Sequence, residues 1–327
     1  MNIPTTQDAV TITKFGDAEV LTYHHDRPIP ELKTNEVLIK IACAGINPVD
    51  FKTRQGLGWG AEKIKTNQFA HDEPAVLGFD LSGEVIASES NHFQPGDKVA
   101  ALTFNGGCYS QYNAVEAELL AKVPESVDLK LAGALPCVGI TAKQLIDFAQ
   151  IKQREHVVMS APAGGVGHLA VQLLMQRIAD QDIKLTLICS PQKYQKLEAL
   201  IDTNKLEGWI DYTKEDDFPE LQADLLLDLV GGEAGIKALK VVKAQGRVVV
   251  LPSIWADKLK EAGSDKNLQV EGFIAQPNAN DLAVMLNKLA DGDIKLQIQS
   301  EYPLAEAAEA HRELEQGDSF GKIILLP

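Results

Sequence analysis

Gly164, Gly165 and Gly167 fall close together in the stretch EHVVMSAPAGGVGHLAVQLLMQR, residues 155–177. A backbone stripped of side chains can approach a phosphate, so the elements around these glycines decide what they do. Val157, Val158 and Met159 form an apolar run of strand length. Ser160 to Gly167 is a small-residue turn, and Val166, Leu169, Ala170, Leu173 and Leu174 then recur at helical spacing. Strand, glycine turn and helix in that order open a dinucleotide-binding unit. Gly164 lets a pyrophosphate come close to the chain, Gly167 lets the helix lie close on the strand, and the first free N–H groups of the helix face the phosphates. In the usual G-x-G-x-x-G spacing the first glycine falls on Pro162, so the match here is P-A-G-G-V-G. The competing reading is a strand-to-helix turn that holds no ligand.

The downstream pattern favours the nucleotide. Lys184 to Cys189, Asp224 to Leu229 and Arg247 to Leu251 read as further strands, the last after a turn at Gln245 and Gly246. Helical stretches at Gln192 to Ile201 and Gly235 to Lys243 separate them. Strands alternating with helices argue for an α/β fold with a doubly wound parallel sheet. A site selective for NAD places an acid at the end of the second strand, about 20 residues past the glycines. Here that place is Cys189 or Ser190, and no acid occurs from Lys184 to Gln195. Ser190 and Lys193 can instead bind a 2′-phosphate, so NADPH is expected over NADH.

The rest of the chain sets the frame. At 327 residues the prior is about two domains. A formal net charge of −15 argues against nucleic acid or an anionic membrane as partner. No apolar run reaches the roughly 18 residues of a membrane span. The start, MNIPTTQDAVTITK, lacks a basic-then-apolar signal, so a cytoplasmic protein is expected. The four cysteines, Cys43, Cys108, Cys137 and Cys189, lie among apolar or small residues and show no C-x-x-C pair, as buried free thiols would. The seven histidines show no metal-ligand spacing, and the adjacent His24 and His25 read as a solvated loop.

Before the nucleotide unit the pattern is strand-rich, with glycine turns at short spacing, as in a compact β barrel. Val10 to Lys14 and Val20 to His24 suggest a hairpin, and Glu36 to Ala44 alternates as a strand. Gly45 to Gly56 reads as a loop turning into a short helix. Strands follow at Gly83 to Ser88, Phe93 to Leu102 and Gly106 to Val115. From Asp128 the pattern turns helical: Leu129 to Ala134, then Ile140 to Ala149, with a break at Pro136 to Gly139. After Phe273 come a helix from Asn280, which could cap it, to Ala290; a strand, Ile294 to Tyr302; a helix, Pro303 to Glu315, with Gly317 past its end; and a strand, Gly321 to Leu326.

Several stretches, in order over nearly the whole chain, carry a resemblance: GINPVDFKTRQG, LGFDLSGEV, FQPGDKV, GGCYSQY, SAPAGGVGHLAVQL, WIDYTKED and PLAEAAEAHRELEQGDSFGKIIL. Together they resemble the zinc-free quinone oxidoreductases of the medium-chain dehydrogenase/reductase superfamily, relatives of zeta-crystallin and of the alkenal and enone reductases. The resemblance implies a GroES-like catalytic domain from residues 1–124 and 275–327 and a Rossmann NADP-binding domain at 125–274. It also implies a homodimer, with the QVEGF stretch at Gln269 to Phe273 as a pairing edge strand. Zinc-dependent relatives carry ligands at three places that fall here on Asn47, Phe79 and Cys137, and one thiol cannot hold a catalytic zinc.

Without a Lewis acid the acceptor must itself be electrophilic, such as a quinone or an α,β-unsaturated carbonyl. By resemblance, Asn47, Asp50 and Thr141 line the nicotinamide end. Ala163, Gly164, Gly165, Val166, Gly167, Ser190, Lys193, Tyr212, Leu251, Phe273 and Lys322 surround the cofactor. Phe51 stands where several relatives have a tyrosine, so no strong general acid is visible. Tyr109 and Tyr112 are alternatives, though packing in the barrel suits both better, and water is left as a proton source. The competing functions are an enoyl-thioester reductase and a non-catalytic, crystallin-like NADPH-binding protein.

Overall fold

The computed structural model describes residues 3–214 and 218–327. Strands β1 (Thr6–Ile12) and β2 (Thr22–Pro28) pair antiparallel, with Val10 opposite Tyr23. The hairpin is therefore present with a longer connection than expected. It also corrects the reading of His24 and His25, which sit on β2 rather than in a loop; the exposed His25 approaches Asp8 at 3.2 Å. Strand β3 (Glu36–Ile46) leads to α1 (Pro48–Arg54), which has proline in its first turn, where a missing N–H costs nothing. Next come α2 (Gly58–Asn67), β4 (Ala75–Val76), β5 (Asp80–Ser88), β6 (Lys98–Leu102), β7 (Tyr112–Glu116), β8 (Leu120–Lys122) and α3 (Leu129–Ala134). Helix α4 (Pro136–Phe148) runs straight through the expected break, because Pro136 opens the helix instead of ending it.

The parallel elements follow: β9 (His156–Ser160), α5 (Gly167–Gln181), β10 (Lys184–Ile188), α6 (Pro191–Leu197), β11 (Gly208–Ile210), β12 (Ala223–Asp228), α7 (Gly232–Ala238), β13 (Val242–Val250), α8 (Ala256–Ala262) and β14 (Gln269–Gly272). Strand β13 starts before the expected turn at Gln245 and Gly246, which is absorbed as an irregularity in its pairing with β12. The chain closes with α9 (Ala279–Ala290), β15 (Ile298–Pro303), α10 (Ala307–Glu315) and β16 (Lys322–Leu326). Helix α9 is capped by Asn278, not Asn280: the Asn278 side chain accepts the Asp281 N–H at 3.0 Å.

These elements form two compact units, Met1–Ile140 with Pro277–Pro327, and Thr141–Gln276. In the first, a mostly antiparallel sheet has the order β15-β16-β3-β5-β6-β8, with β7 also on β3, and a small sheet has the order β2-β1-β4. Its core is aliphatic, with Ile12, Ile39, Ile46, Leu77, Leu81 and Leu325 fully buried. The closing strand β16 lies against β3, Leu325 opposite Ala44, so residues from both ends of the chain share one core.

In the second unit the sheet is parallel, in the order β11-β10-β9-β12-β13-β14. Val158, Ile188, Leu226, Val248 and Val250 fill its core. Helices cover a parallel sheet on both faces, which is why these strands read as unbroken apolar runs. The chain enters at β9, works outward to β11, then returns to β12 and works outward the other way. Where that order reverses, the carboxyl ends of β9 and β12 border the place where such sheets bind ligands.

Candidate active site

The glycine turn follows β9 as expected, and its glycines have separate reasons. A Cβ on Gly167 would lie 2.0 Å from the Ala161 carbonyl oxygen and 2.9 Å from the Pro162 Cα, so the turn cannot close on α5 with any side chain there. A Cβ on Gly164 would meet nothing nearer than 3.6 Å. The fold itself does not demand glycine at 164, which leaves the backbone there open to a ligand. Ala161 takes a positive φ of 48°, which bends the chain where the usual first glycine is replaced by Pro162. Ala163 is buried, while Gly164, Gly165 and Val166 are half-buried, and the 15-residue α5 starts directly behind them. The paired glycines and the helix start behind them fit a pyrophosphate.

Ser160 and Asp228 tie the ends of β9 and β12 together. The Ser160 hydroxyl donates to Asp228 Oδ1 at 2.9 Å and accepts the Leu229 N–H at 2.9 Å. The buried Asp228 also accepts the N–H groups of Val230 and Gly231, both at 3.0 Å. At the next strand ends, Ile188 of β10 is in register with Ile210 of β11, which brings Ser190 and Tyr212 to one edge of the sheet. Ser190 is buried at the start of α6, Lys193 is half-buried on it, and Tyr212 is 49% exposed. Tyr194 stacks on Trp209 at 4.5 Å, and the Trp209 indole N–H donates to the Cys189 carbonyl at 2.9 Å.

Asp211 is an acid at this corner that the spacing argument passed over. Its carboxylate accepts the Thr213 hydroxyl at 2.6 Å within the same turn, and that bond holds its pKa below the ordinary range. Leu251 and Phe273 follow β13 and β14; Phe273 is buried, its ring 5.3 Å from that of Phe148. Thr141 lies buried on α4.

In the first unit, Asn47, Asp50 and Lys322 come together in one buried cluster, 1%, 0% and 2% exposed. Lys322 Nζ donates to Asn47 Oδ1 at 2.5 Å and to the Ile46 carbonyl at 2.6 Å, and stands 3.8 Å from Asp80 Oδ2. Asn47 Nδ2 donates to Asp80 Oδ2 at 2.8 Å, and the Cys137 N–H donates to Asp80 Oδ1 at 2.8 Å. The Asn47 N–H donates to Asp50 Oδ2 at 2.7 Å, as does the Tyr109 hydroxyl at 3.0 Å. Burial pushes Asp50 up to about 7, although the Asn47 N–H, Lys322 and Tyr109 oppose it. Burial likewise pushes Asp80 up to about 6 against Lys322 and Asn47.

Similarity to known proteins agrees with both halves. The chain is 30% identical to the 2-methylene-furan-3-one reductase of Solanum lycopersicum, across 100% of this chain and 81% of the relative. The chain belongs to the quinone oxidoreductase and alkenal/one reductase group of the medium-chain dehydrogenase/reductase superfamily. The NADPH-dependent alkenal/one oxidoreductase of Arabidopsis thaliana is 29% identical over 100% of this chain and 81% of its own length. The solved quinone oxidoreductase of Coxiella burnetii superimposes with a TM-score of 0.87 at 33% identity, covering 98% of this chain and 99% of that one. The family model for the alcohol dehydrogenase GroES-like domain matches residues 33–125, and that for a zinc-binding dehydrogenase matches 205–325.

Within this superfamily the donors of this chain do not fit a catalytic zinc. The three ligand places hold Asn47, whose amide is bonded at both ends, Phe79, packed against Trp59 at 5.3 Å, and Cys137. A cation there would also meet the Lys322 ammonium. Among the described residues no three His, Cys, Asp or Glu side chains gather as a metal site would need. Cys43, Cys108 and Cys189 are buried free thiols, whereas Cys137 is half-buried, a correction to the uniform burial expected. No helix among the described residues is long and apolar enough to cross a membrane.

Sequence reasoning missed the partners of Asp50. Tyr109, by sequence a candidate proton donor or packing residue, is wholly buried, with its hydroxyl on Asp50. Arg54 and His311, both 0% exposed, belong to no catalytic or metal-ligand sequence motif. The available signal was a histidine among the alanines of the buried face of α10; the buried face of α1 is itself polar, with Asp50, Thr53 and Arg54.

Proposed function

We propose that this chain is an NADPH-dependent reductase that passes hydride to a quinone, or to the C=C bond of an α,β-unsaturated carbonyl, without zinc. The observation that carries the reading is the Lys322 ammonium lodged between Asn47 Oδ1 and Asp80, where zinc-dependent relatives gather metal ligands. With no Lewis acid to polarise a simple carbonyl, the acceptor must be electrophilic already. NADPH, when bound, supplies the hydride. The residues of this chain then orient, bind and exclude water.

Residues 163–167 receive the pyrophosphate, and Ser190, Lys193 and Tyr212 the 2′-phosphate. Leu251, Phe273 and Thr141 lie towards the nicotinamide half. Asn47, Asp50 and Lys322 form a buried floor within the first unit, its polar atoms facing one another. With Tyr109 sealed from solvent, water supplies the proton. The free edge of β14 suits strand pairing in a homodimer.

The test is NADPH oxidation by purified, chelator-treated protein, with a simple ortho-quinone and a short-chain enone in parallel and NADH as control. Turnover with NADPH is expected, and the faster acceptor names the substrate. Tight NADPH binding without turnover on any acceptor would make the chain a binding protein. Lys193→Ala is expected to raise the NADPH KM roughly 10- to 100-fold, the value of one bond to a charged group, and to leave the NADH KM alone. An unchanged NADPH KM would move the 2′-phosphate elsewhere.

A further inference from the structure

The Asp50 carboxylate is the end of a buried chain of hydrogen bonds that the reductase reading does not use. Arg54 is among the largest fully buried side chains. Its guanidinium donates to Glu315 Oε1 at 2.7 Å and to the Gly16 carbonyl at 3.2 Å, and reaches His311 Nδ1 at 3.5 Å. A guanidinium has no acceptor, so His311 Nδ1 must accept and Nε2 carries the proton. Nε2 lies 2.9 Å from the Tyr109 hydroxyl, which donates in turn to Asp50 Oδ2 at 3.0 Å. Burial first, and Arg54 beside it, push His311 down to about 3, so the ring is neutral and the chain of donors has a single direction. It ends on the oxygen that also takes the Asn47 N–H, while Asp50 Oδ1 is buried without a partner. The ring of Tyr109 fits only because residue 78 is glycine: a Cβ there would lie 2.3 Å from Tyr109 Cδ1.

We propose that Tyr109 and His311 are positioning residues that clamp Asp50 onto the Asn47 backbone and so hold the Asn47–Lys322 floor in its working geometry. The proposal rests on the reductase reading for what that floor supports. Asp50 has a bare oxygen and two donors on the other, so those two donors are the polar restraints on its orientation. Losing the hydroxyl lets the carboxylate, and with it the start of α1, relax. The charged and titratable groups facing Asp50 are Tyr109 and Cys108 from the β6–β7 connection and Asp80 from β5. Lys322 faces it from β16, and His311 of α10 stands behind Tyr109, with Arg54 and Glu315 behind that ring.

The test compares Tyr109→Phe, His311→Leu and His311→Gln. A glutamine can accept from Arg54 and donate to Tyr109, so it is the conservative variant. Tyr109→Phe and His311→Leu are expected to lower kcat about 10- to 100-fold, the effect of roughly an ångström of misplacement, with the NADPH KM within about threefold. His311→Gln is expected to retain most of the rate. Tyr109→Phe should also move the acid limb of the pH–rate profile up by about one pH unit, because Asp50 loses a bond that favours its charged form. Wild-type kcat and an unmoved limb in Tyr109→Phe overturn the proposal. Where that variant does not fold, equal rates in the two His311 variants overturn it. Wild-type protein that turns over no acceptor sinks the reductase reading instead. The clamp is then judged by carbon-13 titration of Asp50, assigned with Asp50→Asn; a titration that Tyr109→Phe leaves unmoved refutes it.

Discussion

Replacing Lys322 with methionine removes an ammonium from between Ile46, Asn47 and Asp80 while leaving a stem of similar length. The Asp80 carboxylate is 0% exposed and keeps only the Asn47 amide and the Cys137 N–H. Removing one partner of a buried ion pair costs about 3–5 kcal/mol, against a total stability of about 5–15 kcal/mol. The sign with pH follows from Asp80. Its pKa is already raised to about 6 from 3.8, and Lys322 is the strongest influence holding it down. In the variant it rises further. The loss is therefore complete above that higher pKa and fades as the pH falls from it to about 6, below which Asp80 is protonated in both folded proteins.

The assay is urea unfolding followed by tryptophan fluorescence. Of the three tryptophans, only Trp59 lies in the first unit, so a background of Trp209→Phe and Trp255→Phe reports on that unit alone. Lys322→Met should cost about 3–5 kcal/mol near pH 8 and markedly less near pH 5. Adding Asp80→Asn should recover much of the loss. A cost below about 1 kcal/mol, as at an exposed pair, or the same cost at both pH values, refutes the reasoning.

Three further outcomes follow from geometry. Gly167→Ala forces a methyl against the Ala161 carbonyl at 2.0 Å, so NADPH affinity measured by fluorescence quenching should fall at least about tenfold. Asp228→Asn turns an amide NH2 towards a backbone N–H at the β12 end, and thermal or urea unfolding of the second unit should show a loss of about 2–4 kcal/mol. Asp50, raised from 3.8 to about 7, makes the wild-type fold lose stability as the pH climbs through that window, because the unfolded chain ionises first. Asp50→Asn should flatten that slope; Asp80 keeps a smaller part of it between 3.8 and about 6.

The parallel sheet was legible because its strands are unbroken apolar runs and its glycine turn is local. The closing strand Lys322–Leu326 and the short helix after Asn47 were equally plain. What misled was local chemistry with two valid placements. Pro136 can end a helix or begin one, and asparagines at 278 and 280 can each cap; only the surrounding backbone chooses. The partners of Asp50 were illegible for another reason. Tyr109, His311 and Arg54 are far apart in sequence, and each looks ordinary until the fold removes water from around it.

The C-terminal stretch that supplies His311, Glu315 and Lys322 has a consequence for biogenesis. Asn47 and Arg54 leave the ribosome early, but their partners Lys322, His311 and Glu315 are made roughly 260 residues later, at about 5–20 residues per second. For some ten seconds to a minute a nascent chain holds an arginine and two acids that cannot yet be sealed. The second unit, continuous from Thr141 to Gln276, is free to fold in that interval. The last strand then closes the first unit, so a ribosome that stalls before Lys322 releases a chain with a finished nucleotide half and an open, charged core.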